Sequence, residues 1–203
     1  MPKIKLLIAE DQAMVRGALS ALLKMTGHFD VLFEVSSGDE AFEIVKANQV
    51  DIVLTDIEMP GRTGLELAAD IFKRISTPPK VVLLSTFSRQ GYAQRAREIG
   101  VQGYLLKEAP SDDLARSLKK VMRGQRIYDP SLEYNREQSI DPLQDRERRI
   151  LRLAEQGVST AEMAKAVCRS EGTVRNVLSD VIKKLEVTNR TEAIRLARDK
   201  GWL

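Results

Sequence analysis

The sequence predicts an α/β fold, a doubly wound five-stranded parallel sheet, followed by a smaller all-α four-helix unit. Three observations predict it. Short apolar runs without alternation, such as Ile52-Val53-Leu54, end in turn residues, as strands buried on both faces do. Stretches with apolar residues at helical spacing separate those runs. After residue 143 only the helical period remains.

Taken in order, residues 3–9 read as a first buried strand with Glu10-Asp11 at its carboxyl end. Met14, Val15, Ala18, Leu19, Leu22 and Leu23 make a helix that stops at Gly27. Val31 to Val35 is a second strand, and Ala41, Phe42, Ile44 and Val45 belong to a second helix. The third strand, 52–56, ends in Asp56 before the turn at Pro60-Gly61, and a helix over 65–74 follows Gly64. Val81 to Ser85, a helix from Gln90 to Ile99, Gly103 to Leu106 and a helix from Ser111 to Arg123 complete this half. Each crossover has the length a right-handed βαβ unit needs, so the sheet is parallel.

The stretch 124–142 is polar, contains Asp-Pro twice and has no sustained period, so it reads as a linker with a short ordered piece around Ile127 and Tyr128. The second unit, 143–203, opens with a helix from about Asp145 to Gln156. Ser159-Thr-Ala-Glu162 is a capping box for a short helix, and Ser170 caps the next, whose apolar stripe is Val174, Val177, Leu178, Val181, Ile182 and Leu185. Asn189-Arg-Thr-Glu192 resembles a second capping box and opens the last helix. Two short helices joined by a tight turn make a helix-turn-helix unit.

The composition narrows the function. With 43% hydrophobic and 30% charged residues the chain can bury a core. Its net charge of +3 is uneven: residues 1–123 carry +1, 124–142 carry −2 and 143–203 carry +4. A small basic unit points to nucleic acid. Cys168 is the only cysteine, which excludes an intrachain disulfide, and it reads as a packing residue. The apolar run Ile4 to Ala9 is too short for a signal peptide or a membrane span, so a cytoplasmic protein without membrane insertion is expected.

Glu10, Asp11 and Asp56 all fall at carboxyl ends of strands, where open α/β sheets bind ligands. Three carboxylates held together repel unless a cation or protons neutralise them. An oxygen-only set of this size suits Mg²⁺, which keeps water and phosphate oxygens for its remaining positions. Lys107 ends another strand and offers a compact cation for a phosphate, and Ser85 offers a hydroxyl. Singly, Lys107 reads as a solvated strand end, Ser85 as a local cap and Glu10-Asp11 as a helix N-terminus. Their coincidence at one end of one sheet, with the likeness that follows, argues a phosphoryl-binding site.

Glu10-Asp11, the string DIEMPGRTGLE (56–66), Ser85-Thr86 and GYLLK (103–107) resemble the receiver domain of bacterial two-component response regulators, a flavodoxin-like fold, over residues 3 to about 123. The resemblance implies that Asp56 accepts a phosphoryl group from a sensor histidine kinase. It implies that Glu10, Asp11, Asp56 and the backbone carbonyl of Glu58 surround Mg²⁺. It makes Ser85 and Lys107 the partners of the phosphoryl group and Tyr104 the switch aromatic that follows Ser85. By spacing alone Thr86 competes with Ser85; the family's interval to the lysine favours Ser85.

Residues 143–203 are similar to the four-helix DNA-binding domain of the LuxR/NarL/FixJ class, through DRERRILRLAEQGVSTAEMAKAV, GTVRNVLSDVIKKLEV and NRTEAI. With RIYDP and the terminal Lys-Gly-Trp, the whole chain resembles the DesR-type regulators of membrane-lipid desaturation systems most. One departure from the class is Gln144, where a capping threonine usually stands; Asp145 or Asp141 is expected to substitute for it.

On a recognition helix over 170–185, the face opposite the apolar stripe carries Arg175, Asn176, Ser179 and Lys183, suited to base edges in the major groove. Thr160, Lys165, Thr173, Lys184 and Arg190 are placed to hold phosphates. One such domain reads one half-site, so a homodimer on a two-fold site in double-stranded DNA is expected when the protein is phosphorylated, with RNA polymerase as a further partner. No enzyme activity is expected beyond the receiver's own phosphoryl transfer and dephosphorylation. Two rivals remain at this stage. One is an Mg²⁺-dependent aspartyl phosphatase, which would carry an aspartate where Glu58 stands. The other is a regulator that uses its receiver only to dimerise, independently of phosphorylation.

Overall fold

The structure, a computed structural model, describes residues 3–86, 89–108, 110–131 and 141–203. The chain forms two compact units, most of residues 3–131 in one and 141–203 in the other.

The first unit alternates strands and helices: β1 (Ile4–Ala9), α1 (Ala13–Met25), β2 (Phe29–Val35), α2 (Gly38–Ala47), β3 (Ile52–Asp56), α3 (Gly64–Arg74), β4 (Lys80–Ser85), α4 (Gln90–Ile99), β5 (Gly103–Leu106), α5 (Ser111–Met122) and β6 (Ile127–Tyr128). The strands pair in parallel in the order β2-β1-β3-β4-β5-β6. The expected five-stranded parallel sheet is there, with a sixth strand of two residues. That strand lies inside the stretch read as linker, at the ordered piece expected around Ile127 and Tyr128. Ile127 N donates to Gln102 O at 2.9 Å and Asp129 N to Tyr104 O at 2.9 Å, which fastens the segment to the edge of β5. Periodicity does not detect two residues whose strand state depends on a neighbouring backbone. Residues 132–140 of the expected linker lie outside the described residues.

Strand side chains alternate between the faces. Leu6, Ile8, Ile52, Leu54, Val82, Leu84 and Leu105 turn to α1 and α5, where they join Leu23, Leu114, Leu118 and Val121 in one apolar cluster. Leu7, Val53, Val81, Leu83 and Tyr104 are buried too, and α2 and α3 pack beside strands of this sheet. With both faces covered, the carboxyl edge is where polar groups from several strands can meet.

The second unit is helical: α6 (Asp145–Glu155), α7 (Thr160–Ala166), α8 (Glu171–Lys184) and α9 (Arg190–Asp199). Leu143, Ile150, Leu151, Met163, Val174, Val177, Val181, Ala193 and Ala197 form its core. Ser159 and Glu162 make a reciprocal capping box, with Glu162 N donating to Ser159 Oγ at 3.3 Å and Ser159 N to Glu162 Oε2 at 3.1 Å. Two caps differ from expectation. Asn189 accepts from Glu192 N at 2.9 Å, but Glu192 turns to the amide and hydroxyl of Thr188 instead of closing the box on Asn189. Neither Asp145 nor Asp141 replaces Gln144 at the start of α6. Gln144 stays at the cap position, Glu147 Oε2 accepts its amide at 2.7 Å, and Asp141 accepts the Leu143 amide at 2.9 Å. Arg148 draws Asp141 and Asp145 into an ion pair of their own.

Candidate functional site

Because β1 and β3 are neighbours, with Ala9 opposite Thr55, the residues that follow them share one edge. One oxygen from each of Glu10, Asp11 and Asp56 lies within 4.8 Å of the others. Glu10 is fully buried and Asp56 is 5% exposed. Ile57 N donates to Asp56 Oδ1 at 2.8 Å, which fixes the carboxylate at the strand end. Gly64 lets α3 start against this point: a Cβ there would fall 2.1 Å from the Asp56 carbonyl oxygen. Thr63 and Glu66 close a capping box on the same helix, so the turn after Asp56 is held at both ends.

Lys107 reaches the same edge from the end of β5. Its Nζ lies 2.7 Å from Glu10 Oε2 and 3.1 Å from Asp56 Oδ2, and its amide donates to Ser85 O at 2.8 Å. Burial pushes the Asp56 carboxyl up from 3.8 to about 6, opposed by the Lys107 ammonium and helped by the charge of Glu10. Burial alone would lower the Lys107 pKa; the hydrogen bond to Glu10 and the charges of Asp56 and Glu10 outweigh it and hold the pKa above its ordinary value. The lysine therefore stays a cation. Two of the three carboxylates share it, but Asp11 Oδ1 is buried without a hydrogen-bond partner among the described residues. An all-oxygen cluster with an orphaned oxygen fits a hard divalent cation such as Mg²⁺.

Ser85 closes β4 opposite Leu106 and is buried, and Tyr104 on β5 is 0% exposed. Glu58 is half-buried in the turn after Asp56. Two arginines were missed by the sequence reading. Arg16 on α1 donates to the Glu10 carbonyl at 2.5 Å. Arg62 lies 3.4 Å from both Asp39 and Asp70, with its guanidinium 4.5 Å from the Phe42 ring centroid, and so ties the turn after Asp56 to α2 and α3. Arg62 carried a weak signal, its place inside the turn string; Arg16 carried none.

In the second unit, α7, the turn at 167–170 and α8 form the helix-turn-helix. Arg175, Asn176, Ser179 and Lys183 are exposed on α8, opposite the buried Val174, Val177, Leu178 and Val181. Lys165 and Arg190 are exposed, and Thr160 and Thr173 are half-buried. Arg175 is 3.3 Å from Glu171, an exposed pair that costs little to open. Lys184 differs from the other expected phosphate contacts: its Nζ is held by Glu147 at 2.6 and 2.7 Å. Cys168 is exposed in the turn between the helices, not packed as expected.

Comparison with known proteins gives both units a family. Residues 6–119 match the response regulator receiver domain, and residues 141–197 match the bacterial regulatory proteins of the luxR family. The chain is 45% identical over 199 residues to the transcriptional regulatory protein DesR of Bacillus subtilis, covering 98% of each chain. It is 42% identical over 200 residues to the uncharacterized transcriptional regulatory protein YvfU of the same organism, covering 98% of this chain and 100% of YvfU. Among solved structures, the response regulator ChrA of a heme-sensing two-component system is 31% identical, covers 100% of both chains and superposes with a TM-score of 0.57. The chain belongs to the two-component response regulators that join a receiver domain to a LuxR-type DNA-binding domain, a family of transcriptional regulators.

Proposed function

We propose that Asp56 is the phosphoryl acceptor and that its phosphorylation by a sensor histidine kinase switches DNA binding. The observation that carries this reading is the carboxyl edge itself: Asp56 is buried beside Lys107, with Asp11 Oδ1 left without a partner. Asp56 attacks the phosphorus of a phosphohistidine, the P–N bond breaks and the imidazole leaves. Glu10, Asp11, Asp56 and the carbonyl of Glu58 would hold Mg²⁺, which supplies charge to offset the phosphoryl oxygens. Lys107 then moves from carboxylates to phosphoryl oxygens, and the Ser85 hydroxyl donates to the same group. Tyr104 follows Ser85 as the switch aromatic.

The readout is a homodimer on a two-fold site in double-stranded DNA, with RNA polymerase as a further partner. Arg175, Asn176, Ser179 and Lys183 face base edges, while Thr160, Lys165, Thr173 and Arg190 hold phosphates. We assign the receiver to residues 1–123 extended by the β6 strand, the linker to the remainder up to 142, and the DNA-binding domain to 143–203. The protein acts in the cytoplasm, and no helix among the described residues is long and apolar enough to cross a membrane. Membrane-lipid genes are the targets we propose, and no catalysis beyond the receiver's own phosphoryl chemistry. Incubation with acetyl phosphate and Mg²⁺ should add one phosphoryl group to the protein, located on Asp56 by peptide mass spectrometry. Labelling that persists in Asp56→Asn, or that ignores Mg²⁺, contradicts the assignment.

A further inference from the structure

Glu147 sits in the first turn of α6 with its side chain 10% exposed, and Lys184, 32% exposed at the side chain, is the last residue of α8. One carboxylate joins two helix ends. Glu147 Oε2 accepts the Gln144 amide at 2.7 Å, and both its oxygens accept from Lys184 Nζ, at 2.6 and 2.7 Å. A carboxylate at an N-terminus and an ammonium at a C-terminus are each favoured by the helix dipole, so the pair is stabilised from both sides. A carboxylate this deep is costly without its cation. Lys184 is an exposed residue whose ammonium is nevertheless engaged by the buried Glu147, although the sequence places it among phosphate-binding residues.

The rest of α8 is held by Val174, Val177, Leu178 and Val181. Apolar burial decides which face turns inward, and the interdigitated side chains fix most of the position of the helix. The Glu147–Lys184 pair adds a charge-assisted tie between α6 and the last turn of α8, the helix that carries the exposed Arg175, Asn176, Ser179 and Lys183.

We propose that Lys184 is a positioning residue for DNA recognition, acting through Glu147 and making no phosphate contact. The inference rests on α8 being the recognition helix. A phosphate contact and a positioning residue both lower affinity when lost, but they differ in salt dependence. Each phosphate contact removed lowers the slope of log K against log salt by about 0.9. Loss of positioning leaves that slope in place.

The test uses full-length, phosphodonor-treated protein and a labelled duplex recovered by in vitro selection on the wild type, titrated over a range of salt. Lys184→Met should lose affinity on the order of tenfold, a usual size for coupling between sites, with the wild-type slope. Glu147→Gln should lose affinity as well, since it frees Lys184 and gains nothing. The double variant Glu147→Gln/Lys184→Met replaces the charged pair with a neutral one of similar volume. It leaves no unpaired buried charge, so it should fold even where Lys184→Met does not, and it should recover most of the affinity at the wild-type slope. A slope lowered by about one contact in Lys184→Met or in the double variant overturns the proposal, as does Glu147→Gln binding more tightly than wild type. Failure of the wild type to select any duplex would count against the recognition helix itself, a different result from any of these.

Discussion

Lys107 Nζ lies 2.7 Å from Glu10 Oε2, so a lysine that ends β5 is held by a carboxylate that ends β1, across the ends of β3 and β4. Under the proposed function, the cation that would bind the phosphoryl group is occupied before the group arrives. Both states of the site depend on the same ammonium.

Removing that ammonium leaves Glu10 buried beside Asp56 with no cation. Lys107→Met should lower stability in metal-free buffer by about 3 kcal/mol, as expected for breaking a buried pair from one side. Mg²⁺ should restore more stability to this variant than to the wild type, because it supplies the missing positive charge. Urea denaturation with and without Mg²⁺ measures both, and equal Mg²⁺ effects in the two proteins would argue against a metal in the acidic cluster.

The raised Asp56 pKa makes stability depend on pH. Between its ordinary value of 3.8 and about 6, the folded protein keeps a proton that the unfolded chain has lost. Stability therefore falls as pH rises through that window, and above it the charged carboxylate destabilises the fold by up to about 3 kcal/mol in the absence of metal. Asp56→Asn should flatten this part of the profile and raise the melting temperature at neutral pH. A variant that melts lower than wild type at pH 7 would contradict the account.

Two glycines should respond in opposite directions to the same substitution. In Gly64→Ala the new Cβ would meet the Asp56 carbonyl oxygen at 2.1 Å, so the turn must shift. We expect a loss of about 2 kcal/mol from overpacking, together with slower phosphoryl uptake. Gly17 lies within α1 with open space where a Cβ would stand, and Gly17→Ala should stabilise by about 0.5–1 kcal/mol through helix propensity. Thermal melts of both variants, with phosphorylation rates for the first, decide the point.

Much of this is legible in the sequence. Ile52, Val53 and Leu54 announce a strand buried on both faces, and Asp56, Ser85 and Lys107 are recognisable because strand ends mark a ligand edge in this fold. What escaped the sequence depends on partners distant along the chain. Nothing local says that Lys107 meets Glu10, that Arg62 stacks on Phe42, or that Lys184 pairs with Glu147. The β6 strand escaped for a related reason, since Ile127 and Tyr128 are extended only because β5 offers an open edge. At residue 192 a choice between near-equal local partners decided the outcome: Glu192 could close a box on Asn189, and it turned to Thr188.

The central claim is that charge added at Asp56 reaches DNA through the helix-turn-helix. It is tested most directly by measuring DNA affinity and oligomeric state with and without phosphodonor, in wild type and in Asp56→Asn. Wild type should dimerise and bind its selected duplex at least tenfold more tightly after Mg²⁺ and acetyl phosphate, within the usual range of coupling between sites, while Asp56→Asn stays at the untreated level. Equal affinity and the same oligomeric state for treated and untreated wild type, or an Asp56→Asn protein that still responds, would contradict it.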